Sequence, residues 1–348
     1  MANKYTVTVI YAQPIQQATE KYTIKLTENN GVNEVNVYYK EWKIFKKIVH
    51  FFRYRKAQRL GLQAISGHVD LVHVHVPIRP AFLALRLHKR FATPYIVTEH
   101  WSGHLNGQFT AKPMLYKLMY GHVLNKASKI TAVSKALADK ISGLSNKQVK
   151  VIPNYILASS NPMQKNATSN IQIISVSDLN DHTKNITGLI EGFKIALEEN
   201  DCLHLTIVGD GPDKNKIIDK ILALHLSDKV TLLGRKTQTE VLALLPSFDF
   251  YVCNSIVETF GMTVAEAILS GLPVICSRCG GPQEFVNENN GILFDVGNIN
   301  QLKHAIIKMS HTFGSYNTIE NQKNIEALFG KKAILKQWEE LYQSAILT

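Results

Sequence analysis

Glycine is nearly missing from the first sixty residues of this 348-residue chain, where Gly31 stands alone in the turn-like run ENNGVN. Dinucleotide-type domains open with a strand and a glycine-rich turn that lets backbone approach phosphate. No such turn is found here before residue 61, so either the fold has an unusual start or some 25 to 30 residues, about one βα unit, are expected to be lacking ahead of Met1. MANK then reads as the tail of a helix entering the domain's second strand. Cysteine is scarce as well: Cys202, Cys253, Cys276 and Cys279 are too few and too scattered for a disulfide framework. The sequons at Asn166 and Asn185 carry no weight in such a chain. No apolar run approaches the roughly 18 residues that cross a bilayer. The start, MANKYTVTVI, lacks the basic-then-apolar layout of a secretion signal. These absences lead to the expectation of a cytoplasmic protein. Acidic residues are short in one half only: residues 1–160 hold 23 Lys and Arg against 7 Asp and Glu, whereas the remainder hold 16 against 21. A basic half and a mildly acidic half suggest different partners.

What is present is a repeated alternation. YTVTVIYA, NEVNVYY, VDLVHVHV, PYIVTEH and KITAVS are short and rich in β-branched residues, as buried parallel strands are. RPAFLALRLHKRFA and KPMLYKLMYGHVLNKA read as helices between them. After VKVIPNYI, the small, polar run LASSNPMQKNATSN reads as a linker. The rhythm resumes with IQIISVS, ITGLIEGFKIALEEN, LHLTIVGDGP, KNKIIDKILALHL, KVTLLG, TEVLALLPS, DFYVCNS, GMTVAEAILSG, PVICS and GILFDV. AILKQWEELYQSAI reads as a last helix free to pack on either half. Such alternation on both sides of a linker predicts an α/β protein with two doubly wound domains. Its ligands should bind at the carboxyl ends of the strands, in a cleft between the domains.

The segment VETFGMTVAEAILSGLPV places Glu258 on a loop and Glu266 inside a helix expected to begin near Gly261 or Met262. The first amides of that helix would be unpaired and would carry the positive end of its dipole, a cradle for phosphate. Glu266 would lie about 7 Å along the axis. Two acids bracketing a diphosphate could each accept hydrogen bonds from neighbouring hydroxyls. A solvated helix face plus a loop acid is the plain alternative.

From Cys253 to Gly291 the order is strand, Glu, FG, helix with Glu, SGLPVICS, GGPQEFV and NENNGILF. This order resembles the C-terminal domain of family-4 glycosyltransferases of the GT-B fold, whose hallmark is two glutamates separated by seven residues. IVGDGPDKNKI, VTLLGR, VIPNYI, DLVHVHV and PYIVTEHWSG continue the resemblance over nearly the whole chain. It implies two Rossmann-like domains facing a cleft: an acceptor-side domain at 1–156, truncated at its start, a linker at 157–169, a nucleotide-sugar domain at 170–330 and a terminal helix at 331–348. It also implies residue roles. Glu258 would contact the donor sugar near its reacting carbon, and Glu266 would hold the ribose. The backbone of Phe260, Gly261, Met262 and Thr263 would hold phosphate oxygens, with Gly209, Gly234 and Arg235 lining the rest of the donor site. Lys184 in NDHTKN would neutralise the leaving diphosphate. His100 would lie beside the donor sugar, with Glu99 and Trp101 shaping the acceptor site. One departure stands out. Relatives carry Arg where this chain has Asp178, and either Arg235 or Arg278 would have to substitute.

KEWKIFKKIVHFFRYRKAQRLG sets Phe45, Ile48, Val49 and Phe52 on one helical face among seven basic residues. Such a helix either packs in the domain with a solvated basic face or lies on an anionic leaflet through 40–61. No nucleic-acid motif appears. His73 and His75 share a strand face without a carboxylate or thiolate partner at ligand spacing, and the thiols of CSRC read as buried filler. The resemblance implies no cofactor and no metal. The expected activity is retaining transfer of a sugar from a nucleoside-diphosphate sugar to a glycan or lipid-linked acceptor in cell-surface polysaccharide synthesis, at the inner face of the plasma membrane. A non-catalytic sugar-nucleotide-binding protein and a nucleotide-sugar epimerase are the alternatives.

Overall fold

The computed structural model describes residues 4–15, 20–41, 46–159, 163 and 170–347, with backbone alone at 46–48. The expected helix tail in MANK, most of the expected linker 157–169, and the side chains of Phe45 and Ile48 lie outside these residues.

The N-terminal half contains two sheets. Strands β1 (Val7–Ile15) and β3 (Val32–Lys40) run parallel, and β2 (Tyr22–Asn29) pairs antiparallel with β3 across Asn30–Gly31. The sequence reading placed no strand at β2. Its side chains are mostly exposed on both faces, so the usual one-sided apolar signal is absent. Helix α1 (Lys46–Gln63) covers this sheet. Val35, Val37 and Tyr39 bury against Ala57, with Tyr54, Ala64 and Ile65 beside them. The face of α1 that packs is therefore that of Tyr54 and Ala57, whereas Phe52 is 63% exposed.

A second, four-stranded sheet is all parallel in the order of the chain: β4 (Val72–His75), β5 (Tyr95–Glu99), β6 (Lys129–Ala132) and β7 (Val149–Val151). Helices α2 (Ala81–Phe91), α3 (Met114–Lys126) and α4 (Lys135–Ser142) connect its strands. All five side chains of β5 are buried, as expected for a central parallel strand covered on both faces.

The C-terminal half is one six-stranded parallel sheet: β8 (Ile171–Val176), β9 (Leu203–Val208), β10 (Val230–Gly234), β11 (Phe250–Cys253), β12 (Val274–Ser277) and β13 (Gly291–Phe294). Across the sheet they run β10-β9-β8-β11-β12-β13, so the winding direction reverses between β8 and β11. That is the doubly wound order, with its ligand crevice at the reversal. The short α5 (Asp181–Lys184) lies where the sequence reading had a loop, whereas helices α6 (Ile186–Leu197), α7 (Lys214–Ala223), α8 (Gln238–Leu244) and α9 (Met262–Leu269) fall where the apolar spacing places them. Two further helices, α10 (Ile299–Thr312) and α11 (Thr318–Phe329), occupy a region the sequence reading left without helices.

The chain then returns to the first half. Ile156 bridges Gly330, and α12 (Lys331–Ile346) buries Ile334, Leu341 and Ala345 against Ile96 and Ile152. The last helix thus packs on the N-terminal domain. A larger apolar cluster also spans both halves, joining Val97 and Leu137 to Phe260, Phe285 and Phe329. Leu341→Ala should destabilise the protein by about 2–5 kcal/mol in chemical denaturation. Leu347→Ala, at a residue 86% exposed, should change nothing measurable.

Candidate active site

The loops at the carboxyl ends of β8, β9, β10 and β11 enclose a cavity of about 350 Å³. Lys184, Glu258, Phe260, Gly261, Met262, Thr263, Gly209 and Arg235 all line it, joined by Asp178, Lys236 and, from the first half, Asn154. Eight of the residues singled out from sequence therefore meet at one place.

Gly261 shapes one end of the cavity. Its backbone is left-handed (φ 88°, ψ 55°), and a Cβ there would come 2.4 Å from Pro282 Cγ, so only glycine fits without displacing the following turn. Helix α9 starts at Met262, with Gly261 as its N-cap and no side chain bonding its first amides. Those amides lie at the positive end of the helix dipole, in residues that line the cavity. Phe260 turns its ring into the core against Phe285 and Phe329, which leaves its backbone alone to the cavity. Thr263 Oγ1 lies 2.8 Å from the Tyr251 hydroxyl.

Across the cavity sits Lys184, the last residue of α5, just before the left-handed Asn185. Its Nζ donates to Glu258 Oε1 at 2.5 Å. Two hydrogen bonds tie their loops together: Ile256 N to Thr183 O at 2.8 Å and Asn254 Nδ2 to Asn185 O at 2.9 Å. Ser255 Oγ donates to the same Glu258 oxygen at 2.7 Å. Burial raises the Glu258 pKa above the ordinary carboxylate range despite Lys184. For Lys184, burial opposes the charge, but the Glu258 carboxylate outweighs it and leaves the ammonium above its ordinary pKa. The pair is thus a charged contact partly shielded from water, in which each partner is the other's main compensation.

Glu266 lies behind this wall on α9, 3% exposed, accepting from Gln238 Nε2 at 2.7 Å. Its pKa is raised, because burial costs the charge more than Gln238 returns. Gly234 is also behind the wall, its carbonyl accepting from Gly209 N at 2.9 Å. Gly209 has φ 154°, and a Cβ on it would fall 1.9 Å from Ser177 O. The Gly-Asp-Gly-Pro turn can therefore pass against the β8 loop only without a side chain. Of the two arginines left open by the sequence, Arg235 lines the cavity; Arg278 instead faces Asp295 at 3.7 Å.

The N-terminal residues need one correction. Glu99 is fully buried and cannot shape an acceptor site from solvent. Its Oε1 accepts from the backbone amides of His100 and Trp101, both at 2.8 Å, and its Oε2 from Tyr120 at 2.5 Å. A strand-end carboxylate next to unpaired loop amides turns inward to satisfy them. Glu99 thereby fixes the loop that carries the other two. Trp101 is half-buried, with the Lys112 ammonium 5.4 Å from its ring. His100 Nε2 meets His75 Nδ1 at 2.9 Å, and the His75 ring stacks near His73 with centroids 4.1 Å apart. Burial lowers the pKa of all three, to about 4 for His75. His73 bonds Tyr342 on α12 and Thr98, so the histidine pair seen in sequence serves His100 and the returning helix. The loop after His100 abuts the Glu258 loop, since a Cβ on Gly280 would meet Leu105 at 3.4 Å and Glu258 O at 2.6 Å.

Ser255, Gln238 and His75 are the neighbours that sequence reasoning did not assign. Ser255 lies three residues from Glu258 and could have been suspected; Gln238 and His75 become neighbours only through the fold. Gly209→Ala should cost about 1–3 kcal/mol in denaturant unfolding, from the enforced strain and overlap. Gly143→Ala, where a Cβ would meet open space, should be neutral or slightly stabilising.

Residues 1–157 match the family described as Glycosyltransferase Family 4, and residues 160–325 match Glycosyl transferases group 1. The chain is 24% identical to the N-acetyl-alpha-D-glucosaminyl L-malate synthase of Bacillus anthracis, over 83% of this chain and 78% of that protein. It is 26% identical to the alpha-monoglucosyldiacylglycerol synthase of Acholeplasma laidlawii, over 88% and 82%. Among solved structures, sucrose-phosphate synthase from Thermosynechococcus elongatus superposes with a TM-score of 0.81 at 19% identity, covering 98% of this chain and 89% of that one. Anabaena HepE in complex with UDP superposes at 0.70 and 18% identity, covering 89% and 86%. The reversed winding at β8 and β11, the glutamates with seven residues between them and these two abutting family matches have one meaning: the chain belongs to the family-4 glycosyltransferases and has the GT-B fold.

Proposed function

We propose that this protein transfers a sugar, with retention of anomeric configuration, from a nucleoside-diphosphate sugar to a hydroxyl of a glycan or lipid-linked acceptor. The observation that carries the proposal is the Lys184–Glu258 contact at the mouth of α9, inside a cavity lined by loops from four strand ends. The diphosphate would rest on the amides from Gly261 to Thr263. Its anionic oxygens would compete with Glu258 for Lys184, and the freed carboxylate would face the reacting sugar. Departure of the diphosphate then develops negative charge where Lys184, Arg235 and the α9 amides converge, so no metal is needed for that charge. Asp178 on the same wall opposes it, and Arg235 supplies the cation that the departure from the family pattern removes. His100, neutral at pH 7, would orient the sugar by hydrogen bonding while the acceptor hydroxyl attacks from the side the diphosphate leaves. UDP is the first nucleotide to test, since it occupies the related Anabaena structure.

The acceptor side favours a lipid. The Acholeplasma relative is a diacylglycerol glucoside synthase, and α1 presents Phe51 and Phe52 to solvent, 37% and 63% exposed, beside Arg55, Lys56 and Arg59. No helix among the described residues is long and apolar enough to cross a membrane, so attachment would be peripheral, at the cytoplasmic face of the plasma membrane. Cell-surface polysaccharide or glycolipid synthesis is the setting that fits.

Glu258→Gln and Lys184→Ala should each lower turnover of a UDP-sugar by at least about 100-fold while the melting temperature of the free protein stays within a few degrees. Wild-type turnover by either variant would end the assignment. Donor affinity should also depend on pH. Glu266 would accept donor hydroxyls as a carboxylate by exchanging its Gln238 bond, and its pKa is raised by burial, so affinity should fall on acidification beginning above the ordinary glutamate pKa of about 4.3. Calorimetric titration of Glu266→Gln with UDP-sugar should show a flatter pH profile, the remaining slope belonging to Glu258.

A further inference from the structure

Three of the four cysteines meet beneath the donor site. Cys253 closes β11 and Cys276 lies in register beside it on β12. In-register residues of adjacent parallel strands project from the same face, roughly 5 Å apart. The chain turns immediately after β12, with Cys279 N bonding Ser277 O at 2.8 Å, and this brings the third thiol back onto the other two. The three sulfurs lie within 4.8 Å of one another, and the residues are 5%, 0% and 5% exposed. A triangle of that size has a point no more than about 2.8 Å from every corner (4.8 Å divided by √3). Metal–thiolate bonds are about 2.3 Å, so a contraction of a few tenths of an ångström, within the reach of small side-chain rotations, would close the sulfurs on one ion.

We propose that Cys253, Cys276 and Cys279 form a three-thiolate binding site for a soft monovalent metal ion of the Cu(I) type. The ligand set decides among metals. Hard cations take oxygen ligands, and the site offers sulfur. Structural zinc asks for four ligands, and no fourth histidine, cysteine or carboxylate joins this group among the described residues. Soft thiolates without a fourth partner suit Cu(I). Each thiol that ligates releases its proton to the buffer. The site also has a place in the machinery. Cys253 Sγ is 3.5 Å from Ser255 Oγ, whose hydroxyl donates to Glu258, and the Cys279 carbonyl accepts the Glu258 amide at 2.8 Å. An ion held by three thiolates would carry net negative charge into the neighbourhood of the Lys184–Glu258 pair.

The test is a titration of the fully reduced protein with Cu(I), without oxygen, against a colorimetric Cu(I) chelator. One equivalent should transfer from chelator to protein. Cys279→Ala should weaken this by at least about 100-fold, since loss of a direct ligand costs at least as much as loss of a supporting contact. Cys202→Ser, at an exposed and distant thiol, should titrate like the wild type. X-ray absorption at the copper edge of the wild-type complex gives a readout that needs no variant to fold, and it should count three sulfur neighbours. Failure to draw Cu(I) from the chelator, dependence on Cys202, or nitrogen or oxygen neighbours at the metal would overturn the proposal.

Discussion

A lysine and a glutamate 2.5 Å apart, their side chains 20% and 18% exposed, organise this molecule. Each charge is the other's main compensation where solvent reaches them only in part. Much of the local structure holds the two loops in contact. The Asp181 carboxylate accepts from the Thr187 amide at 2.8 Å and from Lys216 at 2.6 Å, which fixes the short helix ending at Lys184. On the other side, Glu258 is pinned through its main chain to Cys279 and Gly281. The site is thus closed by an ion pair.

The two halves are joined more firmly than two beads on a linker. Helix α12 starts against the C-terminal half and buries its apolar stripe on the first. Glu284, just after β12, accepts from the backbone amides of Lys135 and Ala136 at 2.9 and 2.7 Å and so caps a helix of the opposite domain. A carboxylate at a helix N-terminus satisfies orphan donors and meets the favourable end of the dipole. The same loop system carries Gly280 and Gly281 against Glu258. Contacts between the halves and contacts that shape the donor cavity therefore share residues.

The donor side was legible in the sequence because each of its parts is local. A glycine with a required left-handed backbone, a helix that begins one residue later and an acid on each side of that start all fall within ten residues. The acceptor side was harder to read. Glu99 looked available because it ends a strand, yet the amides of His100 and Trp101 and the hydroxyl of Tyr120 consume its carboxylate. The apolar stripe expected on α1 was read from Phe52, whereas the helix packs through Tyr54 and Ala57 and leaves Phe52 outside. Aromatic residues dominate a hydrophobic tally, but the close approach of a helix to a sheet selects small side chains such as Ala57 and Gly61.

The sequence by itself determined the alternation of strands and helices, the doubly wound class of the C-terminal half, the start of α9 and the identity of most residues that line the cavity. All of these follow from spacing within a few turns of chain. Tertiary structure alone decided which groups touch across long separations: Lys184 with Glu258, Gln238 with Glu266, His75 with His100, and Cys253 with the two thiols of CSRC, one on β12 and one just after it. Strand order and register set those meetings, and both depend on how apolar faces from distant segments are covered together, which local spacing does not encode.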